Sequence, residues 1–168
     1  VNPNLIITVG VKASVEAIKQ LEDTPIIFCG VYNWQKLFEK HNNITGVEFN
    51  SNPKFELKYM KLAVPKIKRI GIIYNSIFSE EYVSKFNNAC KSEKIKLVTE
   101  EIEVDDVAKK AGLKEINKPL ERILKKIDAL YLIPDPVIIS EENFIQIKKR
   151  CDDLNIPLFT YSEEFVKQ

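Results

Sequence analysis

Short runs of β-branched and aliphatic residues, each followed by residues at helical spacing, recur from one end of the chain to the other. Leu5-Ile6-Ile7-Thr8-Val9 is continuous in apolar, β-branched character and stops at Gly10, the pattern of a strand covered on both faces. Val11, Val15, Ile18 and Leu21 then follow a helical period, and Thr24-Pro25 ends that segment before a second run, Ile26-Ile27-Phe28-Cys29. Strand, helix and strand in that order imply a parallel pair joined by a right-handed crossover, so the expected class is α/β with parallel sheets.

The pattern then pauses and restarts. A polar, aromatic-rich connection runs through Trp34 and His41 to Ile44-Thr45-Gly46-Val47, and a helix from about Pro53 carries Phe55, Leu57, Met60 and Leu62 up to Pro65. From Arg69 the alternation resumes with Ile70-Gly71-Ile72-Ile73-Tyr74, a helix with Tyr82, Val83, Phe86, Ala89 and Cys90 inward, and a strand from Ile95 to Ile102. Val104 to Gly112 reads as a loop or short helix, and Pro119 suits the first turn of a helix reaching Leu124. The strand Ala129 to Ile133, a helix facing inward through Phe144, Ile147, Cys151 and Leu154, and a last strand from Pro157 to Tyr161 complete the series. The break at Pro65 divides the expected sheets into residues 1–63 and 64–161, with 162–168 opening a further helix. A start at Val1 without methionine gives the look of a piece of a longer protein.

Formal net charge is +1 with no basic block, so the electrostatic footprint of a nucleic-acid binder is missing. The longest apolar stretch, Ile127 to Ile139, is broken by Asp128, Pro134, Asp135 and Pro136, short of the ~20 residues that a membrane helix needs. Cys29, Cys90 and Cys151 are odd in number, lie in apolar patterns and lack metal-type spacing, so the expectation is buried free thiols rather than a disulfide or metal site. Catalytic signatures are absent: His41 is the only histidine, and there is no G-x-S-x-G elbow, P-loop or G-x-G-x-x-G, so no cofactor or metal is expected and binding is the default.

In an open α/β sheet, ligands meet the turns at the carboxyl ends of the strands. Thr8, Gly10 and Ser14 occupy one such turn, and Tyr74, Asn75 and Ser76 another. Tyr32 and Trp34 follow the second strand, where an aromatic can face a ligand or join a core with Leu37 and Phe38. Asp135, fixed between two prolines, could hold an ammonium or serve a plain turn, and Tyr161 brings a phenol to the same edge. Three helix starts read Ser-Glu-Glu, at Ser79, Ser140 and Ser162, each with a serine to cap and two acids to complement the dipole.

Taken in order, the segments Asn2 to Gly10, Thr24 to Val31, Asn43 to Val47, Lys68 to Asn75, Asp128 to Pro134 and Ile156 to Phe159 resemble the substrate-binding proteins of ABC transporters. The group is the type I periplasmic-binding-protein-like one that includes proposed aromatic amino-acid binders. The resemblance implies two Rossmann-like parallel-sheet lobes, the first incomplete here, with a small organic ligand such as an amino acid or amine clamped between them. It also implies an extracytoplasmic location and a membrane permease as partner; the alternative is a sensing domain fused to a signalling module. The ligand-contacting turns differ from the family's usual residues: Val11 follows Gly10, and Glu80 and Glu81 stand where an Asn-Ser pair is usual. Glu80 thereby joins the candidate ligand-binding residues as a determinant of specificity, since a ligand carboxylate brought to that helix start would meet negative charge.

Overall fold

The structure is a computed structural model that describes residues 3–31, 34–48, 52–104 and 110–161. It groups into two compact units, Val1–Ser51 and Asn52–Gln168. The first contains β1 (Ile6–Val9), α1 (Val11–Gln20), β2 (Ile26–Val31), α2 (Trp34–Phe38) and β3 (Ile44–Glu48). These strands form a parallel sheet in the order β1-β2-β3, with Ile6 beside Ile26 and Ile26 beside Ile44. Ile26, Phe28, Val31, Phe38 and Ile44 make the core, against which Val11, Val15, Ile18 and Trp34 pack. Trp34 lies 5.6 Å from the Phe28 ring, so it is a packing residue of this unit.

One expectation fails in this sheet. Ile7, Val9 and Val47 are 66%, 77% and 67% exposed, so the β1 run is not covered on both faces. Paired residues share a side of the sheet, and Val9, Cys29 and Val47 are register partners on the face opposite Phe28. The helices of this unit serve the Phe28 side, and among the described residues no second layer of the unit covers the other.

The second unit contains α3 (Pro53–Ala63), β4 (Arg69–Tyr74), α4 (Ser76–Ser92), β5 (Lys96–Glu101), α5 (Leu113–Leu124), β6 (Ala129–Leu132), α6 (Glu141–Asp153) and β7 (Leu158–Thr160). Its sheet is parallel in the order β5-β4-β6-β7. Ile70, Ile72, Ile73, Ala129 and Leu130 are fully buried, which explains why β4 and β6 are apolar without alternation. Gly71 lets α5 and the segment after it lie close to β4, since a Cβ there would come within 2.6 Å of the Ile127 side chain, which would have to shift. Phe86, fully buried, sits between Tyr82 and Tyr131 with ring centroids 6.2 and 5.3 Å away.

Helix α3 packs on α4 through buried Leu57 and Met60, and the Tyr82 hydroxyl donates to the Glu56 carboxylate. The grouping therefore turns at Ser51, ahead of α3, whereas the sequence places the division after Ala63. Pro119 also departs from expectation, for α5 begins six residues earlier at Leu113 and holds the proline inside. The missing N–H withdraws a hydrogen bond from the carbonyl of exposed Glu115, where water is at hand, while the ring itself is buried.

Helices α4 and α6 end alike. Lys94 and Asn155 take left-handed φ values of 56° and 52°, and the next amides, of Ile95 and Ile156, donate to the carbonyls of Cys90 and Cys151 at 2.9 Å. Both thiols are buried, and burial pushes each up to about 12.

At the amino ends of the strands, Arg69 donates to Asp128 at 3.1 and 2.6 Å, and the Lys68 and Arg69 amides donate to its other oxygen. The Arg69 hydrogen bond holds the Asp128 carboxyl below its usual 3.8, so its stabilisation is present above that pH and is lost as pH falls through the lower folded value. Asp128→Asn will lower the melting temperature at pH 7, and the gap from the parent will close on acidification below 3.8 in a melting series. Phe86→Ala will cost about 3–5 kcal/mol in denaturant unfolding, because it empties the space between two buried tyrosine rings.

Candidate functional site

Two strand-to-helix turns gather most of the residues singled out by sequence. In the first unit, β1 delivers Thr8 and then Gly10, whose φ of 81° is accessible to glycine at little cost. The Ser14 hydroxyl donates to the Gly10 carbonyl at 2.9 Å and lies 2.8 Å from the Thr8 hydroxyl, which must therefore supply the proton of that contact. Both side chains are buried, so Thr8 and Ser14 brace the turn from within. Above them α1 starts with no side-chain cap and no acid in its first turn. Of the other long helices, α3, α4 and α6 carry a side-chain cap, and α5, also uncapped, has Glu115 in its first turn, so α1 alone of these five has neither cap nor acid.

The second turn joins β4 to α4. The neighbours of β4 are β5 and β6, so the chain leaves β4 toward one side of the sheet and leaves β6 toward the other. Carboxyl ends at such a reversal are where open α/β sheets hold ligands. Asn75 and Asp135 meet there. The Asn75 side chain caps α4 by accepting from Ile77 N at 3.2 Å and donates to the Ile102 carbonyl at 2.8 Å. Asp135 is fully buried: one oxygen accepts from Asn75 N at 2.8 Å and from the Ser79 hydroxyl at 2.6 Å, the other from Val137 N and Ile138 N at 2.9 and 3.3 Å. Burial pushes its carboxyl above the usual range, and these four hydrogen bonds pull the other way.

The Ser-Glu-Glu context predicts Ser79 as a helix cap, but α4 opens three residues earlier, at Ser76, on the Asn75 cap. Asn75 precedes Ser76 in the β-region geometry that a cap needs, and Ser79 is free to serve Asp135 instead. At Ser140 the same reading holds, since its hydroxyl accepts from Asn143 N at 3.1 Å with Glu141 and Glu142 in the first turn. Ser162 and Tyr32 lie outside the described residues.

The outward groups of the second turn are half-buried Tyr74 and Ser76, together with Ile77 and Glu80, while exposed Tyr161 follows β7, two strands from β4 in the sheet order. Burial raises the Tyr74 phenol, with Glu101 and Glu80 adding to it, which puts both carboxylates within electrostatic reach of that ring. Ile77, 47% exposed, falls outside the inward period of Phe78, Tyr82 and Phe86, and that mismatch is the sequence signal that it faces outward. A separate cavity of about 670 Å³ lies between α3 and α4, lined by Lys54, Phe55, Leu57, Lys58 and Ala89, and none of the candidate residues lines it. Among the described residues no group of three or more His, Cys, Asp or Glu could hold a metal ion.

Residues 1–168 match the family described as ABC transporter substrate binding protein, and the chain belongs to that family. It is 24% identical over 168 residues to a tyrosine-binding protein of Clostridioides difficile, covering 95% of this chain and 46% of that protein. The solved ABC domain from Streptococcus pneumonia in complex with L-Trp superposes with a TM-score of 0.81 at 18% identity, covering 99% of this chain and 56% of that one. A conserved domain protein from Vibrio cholerae gives a TM-score of 0.78 at 18% identity, with 99% and 55% covered. The chain thus spans about half the length of these relatives, and the likeness establishes the periplasmic-binding-protein-like fold.

Asn75→Ala will remove the α4 cap and strand the Ile102 carbonyl. It will cost about 1–3 kcal/mol of stability in urea unfolding.

Proposed function

We propose that this chain is the solute-holding part of an ABC-type substrate-binding protein, acting outside the cytoplasm with a membrane permease as partner, and binding rather than transforming its ligand. The ligand is a small zwitterion, aromatic amino acids first among candidates. Family membership supports the class, and relatives that bind L-Trp and tyrosine support the aromatic choice.

The observation that carries the reading is a contrast between the two turns. At α1 the helix start has neither cap nor acid, with exposed Lys12 beside it, and it suits a carboxylate. At the end of β4, Tyr74 with Glu80 and Glu101 nearby suits an ammonium and an aromatic ring. Thr8, Gly10 and Ser14 shape the first of these turns, and Tyr74, Ser76 and Glu80 edge the second, with Tyr161 two strands away after β7. Asn75 and Asp135 then contribute by holding the second turn in place.

A thermal-shift panel on the natural protein containing this chain tests the proposal with L-tryptophan, L-tyrosine, L-phenylalanine, their carboxamides, and the corresponding arylalkylamines. Ligand at ~100 times its Kd stabilises by about 2.7 kcal/mol, so a true ligand raises the melting temperature by several degrees. Free amino acids will exceed both the carboxamides and the amines, and Tyr74→Ala will weaken the best of them roughly tenfold. Equal shifts from acids and carboxamides would remove the carboxylate assignment, and a flat panel would remove the aromatic amino-acid class.

A further inference from the structure

We propose that Asp135 is a built-in occupant of the anion site at the α4 N-terminus, so that the switch point of the second sheet is closed to ligand carboxylates and phosphates. The argument is geometric. A strand-order reversal at β4 and β6, followed by a helix that starts on the β4 turn, is the arrangement that cradles anions elsewhere. Here the donors point at an internal carboxylate. Asn75 N and the Ser79 hydroxyl, both at the start of α4, take one oxygen, while Val137 N and Ile138 N take the other. The side chain is fully buried, and every described contact to it is a donor, so the group is bound as a ligand anion would be.

Two other long helices are served at their starts by side chains next to them in the chain. Asn52 caps α3, and Ser140 with Glu141 and Glu142 serves α6, but α4 has no acid in its first turn. Its countercharge comes instead from a residue 60 positions along the chain, fixed between Pro134 and Pro136. Specificity follows directly. An incoming anion at this turn would have to displace a buried carboxylate already holding four hydrogen bonds, so the second unit meets the neutral or cationic end of a ligand. That consequence deepens the zwitterion reading above and rests on it, whereas occupancy of the site itself does not.

Formate, a carboxylate without a side chain, is the probe. In the parent protein, melting temperatures in sodium formate and in sodium chloride of equal ionic strength will coincide, and the amide resonances of Asn75, Val137 and Ile138 will not move on formate titration. In Asp135→Ala, formate will give a saturable rise of roughly 2–4 °C over chloride, and the added change Ser79→Ala will reduce it. A folded Asp135→Ala protein with no formate-specific rise overturns the proposal, as does movement of those three amides in the parent. If Asp135→Ala folds only in formate the proposal is supported; if it folds in neither salt, the parent titration decides. None of these readouts involves an amino acid, so failure here is separable from failure of the aromatic ligand assignment.

Discussion

A single buried carboxylate ties together the end of the second unit's sheet where ligand chemistry would be expected. Burying a charge is costly unless donors surround it, and Asp135 has four of them drawn from two turns. The β4–α4 turn and the turn after β6 are joined through that carboxylate. Asn75 acts from the same place, capping α4 and reaching the Ile102 carbonyl beyond the end of β5. Outward chemistry at this edge is thereby left to Tyr74, Ser76, Ile77 and Glu80, whose positions depend on a frame they do not build.

Much of the architecture was legible because its strands are buried on both sides. Ile70-Gly71-Ile72-Ile73 and Ala129-Leu130-Tyr131-Leu132 have no polar alternation, and both became central strands of a parallel sheet. The β1 run had the same composition and a different fate, since Ile7 and Val9 are exposed. Composition reports what a face can bury, whereas the layer that covers it is a tertiary fact. Pro119 misled for a related reason: proline is favoured in a first turn, but a helix tolerates it further in where the lost hydrogen bond falls on an exposed carbonyl.

The turns were found, but the division of labour inside them was not. Sequence spacing placed Thr8, Gly10 and Ser14 together, and Tyr74, Asn75 and Ser76 together. Which side chains turn inward depends on partners far along the chain, such as Ile102 for Asn75 and Asp135 for Ser79. The Ser-Glu-Glu pattern illustrates the limit. At Ser140 the local rule governs because no better cap precedes it, and at Ser79 it yields to Asn75, which starts the helix a turn sooner.

The matched endings of α4 and α6 have a chemical consequence. Each places a cysteine where its carbonyl closes the helix and its side chain is sealed in the core. With burial pushing both thiols up to about 12, almost none of the nucleophilic thiolate exists at neutral pH. At those two positions burial and the raised pKa together disfavour thiol oxidation and exchange while the second unit is folded.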